Sequence, residues 1–500
     1  MAEKLVIDPV TRVEGHLRVE AEIESGVIKN AWVSSNIARG FEQIFVKKDP
    51  WDAPLVAQRV CGLCGGSHGV CGVTALDSLL GVDLPENARI MRNLLMGTDF
   101  ISTHIIRFYQ FIILDFIDAS SVLNYTGIES TLLALKKKLE KPLNKGDAYP
   151  FKPSFDADEL VIKDPAMTTL FLTHYFEALE MRKKAHQVAA LLGGRMPGFV
   201  GIIPGGVTHL ISADDIGAIR YLLSNLVKWI NSIFLPDVIA LVTSPLLSYG
   251  QQGVGKGRGN FLSVGAFDLD PTGHERLFPS GAIFNGKLSE LEPVDSRRIT
   301  DDVKYSWYNE GSAKQEGAES RFDLNKKKAY SFVKAPRYKG KAMEVGPLAR
   351  LLVKKDETLA NLMKDFGIQI GVVARYVALV IECKVIAEAM VDWLDELSEN
   401  TKKTKRIWDE RKVPSSGRGV GLMEAPSGAL SHVVEVKKSR VNRYQLITPT
   451  AWNASPRDNQ NKRGPLEEAL LGLPVPNPNN PLSILRVVHS FNLCMSCGTH

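Results

Sequence analysis

The chain has 500 residues, of which 44% are hydrophobic and 23% charged, with 61 basic against 56 acidic side chains and a formal net charge of +5. That usage supplies ample core material and argues against a disordered or nucleic-acid-binding chain. Six cysteines are too few for a disulfide scaffold, and the runs Lys136-Lys137-Lys138 and Lys326-Lys327-Lys328 lack interleaved aromatics and read as solvated surface.

Met1-Ala2-Glu3-Lys4 leads directly into a strand-like Leu5-Val6-Ile7, so no signal peptide is expected. Residues 1–60 read as a β-rich N-terminal segment, with Leu17, Val19, Ala21 and Ile23 alternating on one face and Gly26 punctuating the run. From Cys61 the pattern turns helical. Ile90, Leu94, Ile101, Ile105, Phe108 and Ile112 predict one long buried helix over 86–123. A second is predicted over 168–192, stopping at Gly193-Gly194. A third starts at Ser212, where Asp215 stands in for the usual Glu of a capping box. A fourth stretch, 357–397, is interrupted by Gly367 and Gly371.

These four predict a helix bundle in two parts, 61–249 and 346–410, separated by a mixed, loop-rich subdomain over 250–345. A C-terminal segment over 411–500 returns to short strands near 432–436 and 444–448. The apolar segments 104–117 and 371–390 are interrupted by Arg107 and Asp115, and by Arg375, Glu382, Lys384 and Glu388. Neither offers the roughly 20 uninterrupted apolar residues of a membrane span. The class expected is mainly α with smaller β and mixed regions. A long central bundle should have the two terminal segments meeting at one end.

Cys61-Gly62-Leu63-Cys64 and Cys494-Met495-Ser496-Cys497 are both C-x-x-C, a spacing that lets two thiolates converge from one turn. Structural zinc, a redox pair and a redox-active metal centre are all open on spacing alone. Zinc ribbons usually close their pairs over a short loop, whereas these pairs stand at opposite ends of the chain. A thioredoxin-like pair needs a strand-to-helix turn. Cys71 and Cys383 read as small core residues.

Around the pairs lie Thr11-Arg12-Val13-Glu14-Gly15-His16, Arg59-Val60-Cys61-Gly62-Leu63-Cys64 with His68, and Met343-Glu344-Val345-Gly346-Pro347-Leu348-Ala349-Arg350. Glu424-Ala425-Pro426 and the C-terminal Ser490-Phe491-Asn492-Leu493-Cys494-Met495-Ser496-Cys497-Gly498-Thr499-His500 follow. In this order and over the whole chain they resemble the large, catalytic subunit of nickel–iron hydrogenases. The N-terminal stretch is most like the respiratory uptake members. The resemblance implies Cys61 and Cys494 as terminal nickel ligands, and Cys64 and Cys497 as bridges to an iron holding cyanide and carbon monoxide. Soft thiolates suit both metals. It implies that His68 bonds a bridging sulfur, that Glu14 passes protons, and that Pro449 and Thr450 face one cyanide. Glu42, the carbonyl of Leu446 and His500 match the ligands of a structural magnesium.

The resemblance also implies dihydrogen as substrate and a small subunit carrying iron–sulfur clusters, in a heterodimer or higher oligomer. It further implies a maturation protease and metal-insertion proteins; ending at His500 fits either a processed chain or one made without an extension. Placement is expected to be periplasmic or membrane-associated through the partner, with the cytoplasm as alternative.

Several positions depart from the family pattern, among them Gly198, which stands where a His ends the family's Gly-Gly-Lys-x-Pro-His run. Ser427 stands where an Arg follows Glu-Ala-Pro, Asn492 where an Asp precedes the last cysteine pair, and Thr103 where an Asp precedes the His-x-x-His-Phe-Tyr run, which here reads His104-Ile105-Ile106-Arg107-Phe108-Tyr109. Removing an Arg alone would strand buried carboxylates, so their joint change is consistent. Two other functions stay open: a hydrogen sensor or slow nickel–iron paralogue with a regulatory role, suggested by these changes, and a quinone-reductase subunit of the respiratory complex I type, whose members lack the cysteine pairs.

Overall fold

The computed structural model of the chain describes residues 3–146, 149–151, 157–313 and 321–500. Met1 and Ala2, and residues 314–320 of the loop-rich region, lie outside them. Strands β1 (Glu3–Ile7), β2 (Arg18–Glu24) and β3 (Val27–Ser34) form an antiparallel meander in that order. The alternation along β2 is realised as burial: Val19, Ala21 and Ile23 face the core.

Helix α1 (Gly65–Leu80) starts directly after Cys64, and α2 (Glu86–Ile106) is buried on nearly every side. The latter is shorter than its sequence pattern suggests. Arg107–Ile112 form a π turn and Ile113–Asp115 a 3-10 turn, because a group from the N-terminal segment intervenes. Arg12 donates through Nη1 to the carbonyl of Phe111 (2.6 Å) and through Nη2 to Asp115 (2.5 Å), giving that carbonyl a partner outside the helix.

Helix α3 (Pro165–Gly193) opens on an Asp164 cap and closes on Gly194 at φ 83°. Helix α4 (Ala213–Trp229) has the full capping box of Ser212 and Asp215. It continues through a π turn, Ile230–Phe234, into α5 (Leu235–Thr243). The stretch Ala213–Thr243 is long and apolar enough to cross a membrane, a feature the sequence reading passed over, and 44% of its most apolar window is buried. Its apolar side packs on α3 and on α7 (Val372–Lys403). Between them, β4 (Phe261–Asp268) and β5 (Arg276–Ile283) pair with each other, and α6 (Pro347–Lys354) packs on both strands and on α7. The bundle core is therefore α2, α3, α4 and α7, as the four-helix pattern predicts.

A third sheet runs β6 (Ser416–Ala425), β7 (Gly428–Lys437) and β8 (Arg440–Ile447). The sequence predicts parts of β7 and β8 but not β6, whose inward positions include Gly419 and Gly421. A Cβ on either would lie 2.0 Å from the carbonyl of Ala75 or 2.3 Å from that of Cys71. The strand lies flush on α1, and its alternation is of empty space rather than hydrophobicity. Cys71 is a core thiol on that face, with Sγ 3.5 Å from the carbonyl of Gly421, and burial pushes it well up. Beyond β8 come α8 (Pro449–Asn453), α9 (Leu482–Ser490) and a single turn, α10 (Met495–Gly498).

The two ends of the chain meet. Val475 N–H donates to Gly26 O, Ile28 N–H to Leu473 O, and Met495 N–H to Glu14 O at 2.7 Å. The basic runs are used locally: Lys136 donates to Tyr125 O and Lys326 to the carbonyls of Val303 and Tyr308.

Candidate metal centre

The two C-x-x-C pairs close into one sulfur quadrilateral. Its edges are Cys61–Cys494 3.3 Å, Cys494–Cys497 3.2 Å, Cys497–Cys64 3.5 Å and Cys64–Cys61 3.1 Å. All four Sγ atoms lie within 4.8 Å of one another, and all four residues are buried. The N–H groups of Leu63 and Cys64 point at Cys61 Sγ, placing fixed dipoles on the sulfur. Burial pushes the Cys61 thiol up, but hydrogen bonds from the other three sulfurs outweigh it and hold Cys61 well below the usual thiol range. Four soft donors converging in a dry pocket match the demands of nickel and iron.

The quartet is held together by residues from both ends of the chain. Arg39 donates to the carbonyls of Val60 (2.5 Å), Ser496 (3.0 Å) and Arg59 (2.9 Å), tying one cysteine loop to the other. Sequence reasoning passed over it; its place just before Gly40-Phe41-Glu42 was the available signal. Glu14 reaches the sulfurs directly: Cys494 Sγ donates to Oε2 at 2.9 Å and Ser496 Oγ to Oε1 at 2.8 Å. Gly15, at φ +83°, permits this approach, since a Cβ there would stand 2.7 Å from Ser496 N.

Thr450 Oγ1 accepts from Cys494 N (2.9 Å), and Thr448 Oγ donates to Cys497 O (3.0 Å). Pro449 opens α8 just beside them. His68 is fixed from its far side. Its Nδ1 meets His432 Nε2 at 3.1 Å, His432 Nδ1 meets Tyr444 Oη at 2.9 Å, and Nε2 of His68 is buried without a partner. Among the described residues, His68 makes no hydrogen bond to a sulfur. His432 carried no signal in the sequence, because its contact spans 364 positions.

A second polar cluster lies beyond Cys497. His500 Nδ1 contacts the carbonyl of Cys497 at 2.7 Å, and its Nε2 lies 3.6 Å from Glu42 Oε1. Leu446 also reaches Glu42, through its N–H at 2.9 Å. Lys334, absent from the sequence reading, donates to Glu42 Oε2 at 2.7 Å and lies 3.7 Å from Asp301. Burial pushes the Asp301 carboxyl up to about 6 against the pull of Lys334. Burial acts the same way on Glu42, but Lys334 and His500 outweigh it and hold that carboxyl far below its usual range.

Two of the substituted positions, Ser427 and Asn492, come together. Ser427 Oγ donates to the carbonyl of Asn492 at 2.9 Å. Asn492 Oδ1 and Thr103 Oγ1 are buried without partners. Beneath them Arg350 bonds Glu382, Glu424 and the carbonyl of Pro426 (2.7 Å), while His104 Nε2 meets Glu382 at 2.7 Å.

The geometry agrees with what the chain is similar to. The family model for nickel-dependent hydrogenase matches residues 39–500, and a HoxL-like model matches residues 4–33. The chain is 32% identical to the Hydrogenase-2 large chain of Escherichia coli (strain K12) over 557 residues, covering 100% of this chain and 97% of that one. It is 33% identical to the periplasmic NiFeSe hydrogenase large subunit of Desulfomicrobium baculatum, covering 99% of this chain and 95% of that one. The solved Ni-Fe-Se hydrogenase from D. vulgaris Hildenborough in the reduced state matches with a TM-score of 0.88 at 34% identity, over 100% of both chains. This full-length likeness does not favour a sensor. The chain belongs to the nickel-dependent hydrogenases, as the large, catalytic subunit of a nickel–iron hydrogenase, the subunit that cleaves dihydrogen.

Proposed function

We propose that Cys61 and Cys494 are the terminal nickel ligands and that Cys64 and Cys497 bridge nickel to an iron carrying cyanide and carbon monoxide. When bound, this centre supplies the open coordination and redox chemistry that split one dihydrogen into two protons and two electrons. The protein's own part is proton handling and exclusion of water. Glu14 accepts the proton that reaches the Cys494 sulfur and, being only half-buried, releases it outward past Ser496. The observation that carries this reading is the 2.9 Å contact between Cys494 Sγ and Glu14 Oε2 within a closed four-sulfur site.

His68 offers its unpartnered Nε2 to a bridging sulfur, with its other nitrogen fixed by His432. Pro449 and Thr450 face one cyanide. Glu42, His500 and the carbonyl of Leu446 hold a magnesium ion; the unpartnered His500 Nε2 supports this, and Lys334 shares the charge of Glu42. Electrons leave through an iron–sulfur small subunit, because the cysteine quartet is the one group of three or more ligating side chains among the described residues. A periplasmic or membrane-associated location through that partner follows, as does loading by metal-insertion proteins and a maturation protease.

Metal analysis with infrared spectroscopy tests the centre. Stoichiometric nickel and iron with cyanide and carbonyl bands are expected, whereas zinc alone would refute it. Magnesium surviving extensive dialysis would support the second site; its absence would leave Lys334 as the resident cation there.

A further inference from the structure

Arg107 is a buried guanidinium with no anionic partner among the described residues. It is 3% exposed, its Nη1 donates to the carbonyl of Leu493 at 2.5 Å, and its Nε has no partner. Every other buried arginine among the described residues has a carboxylate within 4 Å; Arg350 has two, Glu382 and Glu424, and Arg375 has Glu344. An uncompensated charge in a dry interior is costly, and the Phe111 ring, 5.0 Å away, offsets only part of that. His104, one turn back, gives no relief: burial lowers its pKa and, with Arg350 and Arg107, outweighs the pull of Glu382.

What Arg107 does reach is the backbone leading into the sulfur site. Its acceptor, Leu493 O, belongs to the peptide that leads into Cys494. Thr103 lies one turn back on the same helical face. Across from it Asn492 and Ser427 are neutral and bonded to each other. The π turn that begins at Arg107 is the local distortion that re-aims this position.

We propose that Arg107 is the counter-charge of the metal centre. Its guanidinium offsets the negative charge of the thiolate cluster and fixes the Leu493–Cys494 peptide, so that it sets the electron density at the metals as a positioning residue. The proposal rests on the nickel–iron reading above and goes beyond it.

The test compares wild-type holoenzyme with Arg107→Gln and Arg107→Lys. Nickel and iron content, the infrared bands of the diatomic ligands and the midpoint potential of the nickel centre are measured. Arg107→Gln should keep both metals, move the bands to lower wavenumber, lower the midpoint potential and slow dihydrogen oxidation about tenfold, the scale of one lost charge-assisted contact. Arg107→Lys should return bands and potential towards wild type. Fully loaded Arg107→Gln with unmoved bands and potential would overturn the proposal. If Arg107→Gln fails to hold metal, a loaded Arg107→Lys supports it, and loss of metal from both overturns it. A wild-type enzyme without nickel or diatomic bands would sink the centre itself, a different result.

Discussion

Glu14 holds the Cys494 loop twice over: its carboxylate accepts from the Cys494 sulfur at 2.9 Å, while its backbone carbonyl accepts from the N–H of Met495 at 2.7 Å. The side chain that takes the proton is thus bolted by its own main chain to the loop that carries the ligand. Position and chemistry cannot drift apart. Glu14→Gln keeps the shape and the backbone bond but removes the base. Dihydrogen oxidation should fall by about 100-fold or more, the usual size of a positioned acid–base contribution, with nickel and iron content unchanged. Turnover within threefold of wild type would show that protons leave by another route.

Glu42 joins Lys334, Leu446 and His500 in one buried cluster. Glu42→Gln leaves the Lys334 ammonium with Asp301, 3.7 Å away, as its one carboxylate among the described residues. A loss of about 3–5 kcal/mol in stability is expected, read by denaturant unfolding of the holoenzyme, together with loss of any bound magnesium. A fall in stability below 1 kcal/mol would mean that Lys334 finds its compensation elsewhere.

Placing Arg at position 427 alone should not help. Asn492 and Thr103 offer it no carboxylate, and Arg107 already brings an unpaired guanidinium to the same region. Ser427→Arg is expected to turn over no faster than wild type and to unfold at lower temperature, with Ser427→Arg/Asn492→Asp recovering the stability. A sharp rise in rate from the single substitution would contradict this account.

Far from the metals, Glu467 bridges Val33 N–H and Tyr330 Oη with one oxygen and leaves the other without a partner. Burial pushes its carboxyl up to about 7, against the hydrogen bonds from Tyr330 and Val33. A carboxyl raised in the fold favours folding below the ordinary carboxyl range, and that contribution is lost as pH rises from about 4.5 through 7. Glu467→Gln, which fills the unpartnered position with a donor, should therefore be more stabilising at pH 8 than at pH 5, by on the order of 3 kcal/mol. Equal effects at the two pH values in calorimetric melts would argue against a protonated Glu467.

Much of this was legible in the residues. The capping box at Ser212 and Asp215, the Gly194 stop and the inward alternation of β2 are local instructions, read within a few positions. The spacing of each cysteine pair is local too. Strand β6 was illegible because its signal is the absence of side chains at Gly419 and Gly421, and that has meaning only against α1. The early end of α2 was illegible for a similar reason: Arg12, 99 positions away, takes the carbonyl of Phe111.

The sequence by itself determined that four soft ligands exist in two pairs, with a carboxylate near one end and neutral residues at 103, 427 and 492. Tertiary structure alone decided that the pairs share one site, since Arg39 and Glu14 link loops more than 400 positions apart. It also decided that the region around those neutral residues still carries a charge. Arg107 reads as one more basic residue along a helix, and only burial without a carboxylate reveals it as a charge held for the metal site. Local chemistry is written in residue types and spacing, whereas electrostatic pairing depends on which distant groups are, or are not, brought within reach.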